Sequence, residues 1–453
     1  MRPPHAHSAA YRRARFAVHF VALLGLAACG GDGNDDGTGA DSRPNILLIV
    51  ADDLGYSDLG AFGGEIETPN LDSLAAEGRL LTSHYVGATC SPTRSMLMSG
   101  TDHHLAGLGT MAELLTDAQR GQPGYEGYLN RQVLALPEVL RDAGYHTYMA
   151  GKWHLGLTVE TGPKARGFES SFALLQGAGS HFAPVAGKET AADLSAQYRE
   201  GDDLVALPPD FYSSHTYTDK LIGYIRSHWG DGRPFFAYAA YTAPHWPLHV
   251  PDADIDRYRG RYDVGYDAIR AARIDRQKAL GLLPADWTPN PGLPKTASLP
   301  GWSELGAEQK ASEARKMEVY AAMVHVLDRD IGRLIQTLKD IGAYDNTLVF
   351  FQSDNGAEGA PSLLPVDANT DNSLANLGRR RSNVGVGARW AEVSATPFRL
   401  FKAYQAEGGI AAPAIVRLPR QTQSRKALTQ VTRAMDLLPT FIAAAGIPDP
   451  KTS

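Results

Sequence analysis

Four apolar runs in this chain end in residues able to hold a cation or an anion. "NILLIVADDLG" runs from Ile46 to Val50 and ends in Asp52 and Asp53, and "NTLVFFQSDNGAEG" ends in Asp354 and Asn355. "GYHTYMAGKWHLG" leads into Lys152 and His154, and "RPFFAYAAYTAPHWPLHVP" into Pro244 and His245. Adjacent carboxylates repel each other in a buried site unless a cation holds them. Asp52, Asp53, Asp354 and Asn355 form an all-oxygen set, which suits a hard ion such as Ca²⁺ or Mg²⁺. A catalytic zinc site would show histidine or thiolate ligands instead. Taken alone, an Asp pair is better read as a helix cap or solvated turn; the second acidic strand end favours metal. Lys152, His154, His245 and Lys402 could surround a tetrahedral oxyanion with positive charge and acid–base capacity. Singly, a Lys-x-His is an ordinary surface loop and a histidine between prolines an ordinary turn residue.

The stretch "GATCSPTRSMLMSG", residues 87–100, holds one of only two cysteines in 453 residues. Pro92 stiffens the turn, and the residues after it can start a helix whose N-terminal amides favour negative charge. One reading of Cys90 is a thiolate nucleophile, its pKa lowered by that helix and by Arg94. The other is a buried, inert cysteine. Neither explains the flanking residues.

These residues need elements to position them. The continuous apolar runs read as buried parallel strands, and helical stretches lie between them. "LDSLAAEGRLL" follows the first strand and "ALPEVLRDAG" precedes the second. The segment from Met317 to Ile341 places Met323, Leu327, Ile331, Leu334 and Leu338 on one face. Strands alternating with helices imply a mostly parallel sheet covered on both sides, with its site beyond the carboxyl ends of the strands. Residues 186–232 and 252–315, rich in Gly, Pro and charge, read as irregular insertions over the top edge of that sheet. There is no internal repeat.

Composition narrows the class. The chain is 43% hydrophobic and 21% charged, with a net charge of −6 and no basic stripe, which speaks against nucleic acid as a partner. At the N-terminus, Arg2, Arg12, Arg13 and Arg15 precede "FAVHFVALLGLAA", an apolar run too short to cross a bilayer. We read residues 1–28 as a signal peptide. "LAAC" resembles a bacterial lipobox, so Cys29 is expected to carry lipid and anchor an exported protein in the periplasm or at the outer membrane. "YRRARF" loosely resembles a twin-arginine export signal. Residues 29–43 form a Gly- and Asp-rich tether. With Cys29 lipidated, Cys90 has no disulfide partner.

Together these residues resemble a known family. "CSPTRSMLMSG" matches the sulfatase signature Cys-x-Pro-x-Arg, and "GKWHLG" matches its second signature. "FGGEIETPNLDSLAAEG", "GTDHHLAGLGTMAE" and "MEVYAAMV" extend the likeness. From Pro44 to Ser453 the chain resembles type I, formylglycine-dependent sulfatases, closest to bacterial arylsulfatases of the Pseudomonas kind. The implied fold is α/β and alkaline-phosphatase-like, a large, mostly parallel mixed sheet flanked by helices. The family's usual small C-terminal antiparallel subdomain is expected to be missing, so 44–453 would be a truncated catalytic domain.

The resemblance implies that Cys90 is not a working thiol. A formylglycine-generating enzyme would convert it to an aldehyde, with Pro92 and Arg94 as recognition determinants, and Arg94 would stabilise the hydrate. Asp52, Asp53, Asp354, Asn355 and an oxygen of modified residue 90 would bind Ca²⁺, while Lys152, His154, His245 and Lys402 would contact sulfate. Lys402 is matched through "RLFKAYQAEGGIAAP". One hydroxyl of the hydrate, deprotonated with help from Asp354, would attack sulfur in line, and His245 or Lys402 would protonate the leaving alcohol. His154 would then deprotonate the second hydroxyl to release sulfate and regenerate the aldehyde. Ala411 and Ala412 depart from the Arg and Val common in relatives, a change expected in local packing or charge. The implied substrate is a small sulfate monoester, with aryl esters foremost, and the implied state a monomer. Two other readings are a phosphodiester or phosphonate monoester hydrolase of the same superfamily, and an inactive, anion-binding lipoprotein.

Overall fold

The computed structural model describes residues 42–362, 364–421 and 427–448. The expected signal peptide, Cys29 and the tether up to residue 41 lie outside the described residues.

A mixed sheet of nine strands organises the molecule. In chain order the strands are β1 (Asn45–Ala51), β2 (Arg79–Leu81), β3 (His84–Tyr85), β4 (His146–Lys152) and β5 (Ser170–Leu174). They continue with β6 (Tyr198–Glu200), β7 (Asp203–Val205), β8 (Phe235–Ala240), β9 (Thr347–Ser353), β10 (Ala414–Arg417) and β11 (Thr432–Arg433). The sheet order is β2-β10-β9-β1-β8-β4-β5-β6-β7, and β3 pairs separately with β11. The central five, β9-β1-β8-β4-β5, are parallel, whereas β10, β6 and β7 join by antiparallel pairings.

Alternation along β1 explains why it sits in the middle. Leu47, Ile49 and Ala51 face one hydrophobic layer and Ile46, Leu48 and Val50 the other, all of them 0% exposed. A strand apolar on both sides can only be covered on both sides. The helices are α1 (Pro69–Glu77), α2 (Cys90–Ser99), α3 (Leu136–Asp142), α4 (Ala191–Ser195) and α5 (Ser213–His228). Then come α6 (Tyr266–Ala279), α7 (Ala307–Asp340), α8 (Ala388–Ser394), α9 (Glu407–Ile410) and α10 (Leu437–Ala444). Buried residues of α1, α5 and α7 share the first layer, and those of α2, α3 and α10 the second. The stripe expected on the long helix is buried as Met323, Leu327, Ile331, Leu334 and Leu338, but α7 starts ten residues earlier than that stripe implies.

The two segments read as irregular insertions are more ordered than their composition indicated. Residues 186–232 contain α5, which packs on β4, β8 and α7, and also β6 and β7, which extend the sheet. Tyr217, Leu221 and Ile225 recur every four residues on the buried face of α5, so its signal was present beneath the surrounding Gly, Pro and charge. Residues 252–315 contain α6, whose buried face is half polar, with Arg273 and Gln277 beside Ile269 and Ile274. Apolar periodicity alone does not find such a helix.

Strand register sets the site. Ala51 pairs with Ser353, Val50 with Ala240, and Ala240 with Gly151. The residues just beyond these pairs therefore emerge at one level: Asp52 and Asp53, Asp354 and Asn355, and Lys152.

Candidate active site

Gly151 allows Lys152 to leave its strand where it does. Its φ is +120°, and a Cβ there would lie 1.8 Å from the carbonyl oxygen of Ala240, so no other residue fits. Lys152 is fully buried, and its Nζ donates to both oxygens of Asp52, at 2.9 and 2.7 Å. Asp53 has φ +65°, an uncommon conformation for a residue with a side chain. Its backbone N–H donates to Asp354 Oδ1 at 3.2 Å, and its carboxylate receives Lys402 Nζ at 2.9 and 3.0 Å. Lys402 also meets Glu358 at 3.1 Å.

Cys90 is the first residue of α2, after Thr89 in extended conformation, and every residue from Cys90 to Met98 is buried. Its Sγ lies 3.5 Å from Asp52 Oδ1 and 3.9 Å from Asp53 Oδ1. Arg94, one turn later, points the same way. Its Nε and Nη2 reach Asp354 Oδ2 at 2.9 and 2.8 Å, and its Nη1 donates to the carbonyl of Lys152 at 3.0 Å. Arg94 thus fastens α2 to the ends of β9 and β4.

The thiolate reading of Cys90 does not survive this geometry. Burial, and then the Asp354 carboxylate, push its thiol well above the ordinary range, and the lysines only partly offset them. An unmodified Cys90 stays protonated and donates toward Asp52.

Three buried carboxylates, Asp52, Asp53 and Asp354, face three buried cations, Lys152, Arg94 and Lys402. Asp52 is raised to about 7 by burial and by Asp354, against Lys152 and Arg94. The donor set fits a cation. Oxygen, sulfur and nitrogen atoms of Asp52, Asp53, Cys90 and His245 lie within 4.8 Å of one another. Asn355 donates its Nδ2 to Asp53 Oδ1 at 2.6 Å, which leaves its own Oδ1 buried without a partner. An orphaned carbonyl oxygen beside clustered carboxylates is what a hard ion takes up. The gathered set differs from the expected one: His245 is inside it, while Asp354 turns its Oδ2 to Arg94.

The two histidines are held differently. His245 sits 3.4 Å from Asp53 Oδ2 through Nε2, and its Nδ1 is 2.6 Å from the carbonyl of Trp246. Burial, then the charges of Lys402 and Lys152, keep it neutral. His154, at φ +54°, places Nε2 3.0 and 3.2 Å from the two carboxylate oxygens of Glu113 and 3.4 Å from Ser91 Oγ. All the expected site residues that the structure describes, Cys90, Arg94, Lys152, His154, His245, Asp52, Asp53, Asp354, Asn355 and Lys402, therefore belong to one connected cluster.

A sulfatase family model matches residues 44–447. This chain belongs to the sulfatase family. The sulfatase is 48% identical to an uncharacterised sulfatase of Schizosaccharomyces pombe over 425 residues, covering 90% of this chain and 76% of the relative. It is 40% identical to an arylsulfatase of Klebsiella aerogenes over 417 residues, covering 91% of this chain and 88% of the relative. Among solved structures it is similar to Ps i-CgsB, with 25% identity and a TM-score of 0.62, covering 90% of this chain and 73% of that one. The type I sulfatase assignment, the alkaline-phosphatase-like fold and the reaction class, hydrolysis of sulfuric esters, follow.

Several residues of the sulfatase site went unnoticed in sequence. Glu113 closes the motif "GTDHHLAGLGTMAE" but carried no role there, and Glu358 follows "SDNG" by two residues. Beneath the site, Tyr320 donates to Asp58 Oδ2 at 2.7 Å and lies 3.3 Å from the carbonyl of Asp53. Asp58 also accepts the N–H of Gly55 at 2.8 Å, and Arg273 Nη1 binds its other oxygen at 2.6 Å. Nothing in local sequence marks these partners, which come from α7 and α6. The departures Ala411 and Ala412 are 1% and 0% exposed, so at these positions this chain has small buried residues.

Proposed function

We propose that this sulfatase hydrolyses aryl sulfate monoesters to a phenol and sulfate, with residue 90 converted from cysteine to formylglycine. One observation carries the reading: the Cys90 side chain lies at the head of a buried helix, between the carboxylates that would hold a metal and the cations that would hold sulfate. The hydrated aldehyde supplies the nucleophilic hydroxyl that a protonated thiol lacks. Asp52, Asp53, Asp354, Asn355 and an oxygen of modified residue 90 would hold Ca²⁺, which lowers the cost of ionising that hydroxyl and polarises the sulfate.

The chain's own residues do the rest. Lys152, His154, His245 and Lys402 bind the sulfate oxygens, and Asp354 helps take the proton from the attacking hydroxyl. Arg94 holds Asp354 in place and adds positive charge. Lys402 is the proton donor for the leaving oxygen: Asp53 and Glu358 keep its buried ammonium charged, so it carries a proton to give as negative charge develops on that oxygen. His245 is a poorer donor, since burial and the charges of Lys402 and Lys152 keep it neutral. His154 accepts the proton of the second half-reaction, which releases sulfate.

Three measurements test the reading. Steady-state kinetics on para-nitrophenyl sulfate and on bis(para-nitrophenyl) phosphate should show a clear preference for the sulfate; preference for the diester would make this a phosphodiesterase. Mass spectrometry of the peptide around residue 90 should show the aldehyde in protein from the native host. An unmodified thiol there would leave an anion-binding protein without this chemistry. Calcium rather than magnesium should accompany the purified enzyme in elemental analysis.

Around this activity we place an exported lipoprotein, built as residues 1–28 signal peptide, 29–43 tether and 44–453 catalytic domain. It would be anchored through Cys29 at the periplasmic or outer-membrane surface, modified by a formylglycine-generating enzyme, monomeric, and without nucleic-acid partners. Loss of labelled palmitate incorporation in Cys29→Ser checks the anchor.

A further inference from the structure

The reading above uses His154 but gives no role to Glu113, the carboxylate paired with it. The ring of His154 is fixed on several sides. Its backbone N–H donates to the carbonyl of Leu175, and a Cβ on Gly177 would lie 2.5 Å from its Cε1, so the ring is packed directly against that glycine. Its Nε2 faces both oxygens of Glu113, at 3.0 and 3.2 Å, while its Nδ1 is buried and has no hydrogen-bond partner. Burial would raise the Glu113 carboxyl, but the hydrogen bond from His154 and the charge of nearby Lys152 help hold it below the ordinary carboxylate range. Burial lowers His154 more than Glu113 raises it. The pair is therefore an ionised carboxylate accepting from a neutral imidazole.

An ionised carboxylate can only accept, so the proton of the neutral ring belongs on Nε2 and the bare lone pair on Nδ1. The two partners also differ in exposure: the His154 side chain is 6% exposed and that of Glu113 is 51%. Glu113 thus joins a buried base to bulk water. It lies on the loop between α2 and α3, within a short 3₁₀ turn, Ala112–Leu114.

We propose that Glu113 is a positioning residue for sulfate release: it fixes His154 as the Nε2–H tautomer, leaves Nδ1 as the basic atom, and stabilises the imidazolium formed when Nδ1 takes a proton. The inference rests on the function proposed above. In the second half-reaction the hydroxyl remaining on residue 90 gives its proton to Nδ1. The electron pair of that O–H bond forms the carbonyl, and the bond from the residue 90 carbon to the sulfate oxygen breaks with its electrons leaving on sulfate. Water then adds back to the aldehyde, and the proton on His154 leaves to solvent past Glu113. A carboxylate behind an imidazole serves general-base catalysis in the same way elsewhere.

The test separates the two half-reactions. Glu113→Gln keeps the shape and removes the charge. With para-nitrophenyl sulfate, kcat should fall about 10- to 100-fold while kcat/KM, set by phenol release, stays within about 3-fold. A burst of one nitrophenol per active site should precede the slow steady state. An unchanged kcat, or a parallel fall of kcat and kcat/KM without a burst, overturns the proposal. Glu113→Ala, which also removes the charge, carries the same test if the first variant fails to fold. A readout free of turnover comes from nitrogen-15 NMR of the histidine rings in Cys90→Ala, with the His154 signal assigned by its loss in His154→Gln. A ring protonated on Nε2 supports the proposal, and one protonated on Nδ1 overturns it. An inactive parent with unmodified Cys90 would instead count against the proposed function and leave the NMR outcome to decide the tautomer.

Discussion

Two buried clusters of charge lie one above the other in this molecule, and they are finished differently. The lower one joins Arg273 to Glu65 and Asp58. Arg273 donates to Glu65 at 2.8 and 2.9 Å and to Asp58 at 2.6 Å, and Tyr262 and Tyr320 donate to the same carboxylates at 2.8 and 2.7 Å. The charged ends there are met by fixed protein partners. The upper cluster, at the strand ends, sets three carboxylates against three cations, yet Asn355 Oδ1 and His154 Nδ1 are buried without partners. A buried polar atom left open costs about 1 to 3 kcal/mol, so it persists where something else fills the valence. Of these two clusters, the one whose charged ends are all met by protein partners reads as structural, and the one with open donor atoms among its carboxylates as a site.

That contrast can be broken by experiment. The largest effect should come from Cys90→Ala, which removes the nucleophile's precursor. Turnover of para-nitrophenyl sulfate should fall by at least about 10⁴-fold, more than about 5 kcal/mol in the barrier, with little change in melting temperature. A variant that keeps turnover would show that residue 90 is not the nucleophile. In the lower cluster the outcome should reverse. Arg273→Met leaves two carboxylates buried and unpaired, and urea unfolding should show a loss of about 3 to 5 kcal/mol. A stable Arg273→Met protein would mean that the closed cluster is dispensable.

Acid should act on the lower cluster next. Burial alone would raise Glu65, but Arg273 and Tyr262 hold it down to about 2 in the fold. An unfolded glutamate titrates near 4.3. Its contribution, about 3 kcal/mol, is therefore present above pH ~4.3 and lost as pH falls toward 2. Glu65→Gln should flatten that part of the stability profile, read from urea midpoints across the range. The smallest effect is expected where the clusters touch. Tyr320→Phe removes one hydrogen bond to Asp58 and the contact with the carbonyl of Asp53, for about 1 kcal/mol of stability. Metal affinity should weaken with it, because Asp53 loses support for its φ of +65°. Unchanged calcium titration in that variant would separate the two clusters.

What the sequence disclosed follows from where each signal resides. The strand ends were legible because each apolar run stops at a polar residue, so Asp52, Lys152, His245 and Asp354 announce themselves. Cys90 and Arg94 were legible through their motif, although bare chemistry favoured neither thiolate nor inert thiol, and burial decided it. Glu113 and Tyr320 were not legible as partners. Each acts through a residue far away in the chain, His154 at 41 positions and Asp53 at 267. Helix α6 escaped for another reason: its buried face holds Arg273 and Gln277, which satisfy buried acceptors in place of apolar contact.

The register of β1 against β9 also sets a clock. Asp53 and Asp354 stand 301 positions apart, so the pocket around Cys90 closes only after nearly the whole described chain is available to pair. Folds dominated by such distant pairings form slowly. Until then residues 87–100 are a linear peptide in water; afterwards Cys90 is 1% exposed and its helix is walled in by β9, β4 and α10. Any enzyme that must reach that thiol works against the folding rate of its own substrate. Variants that speed folding should then emerge with a smaller modified fraction.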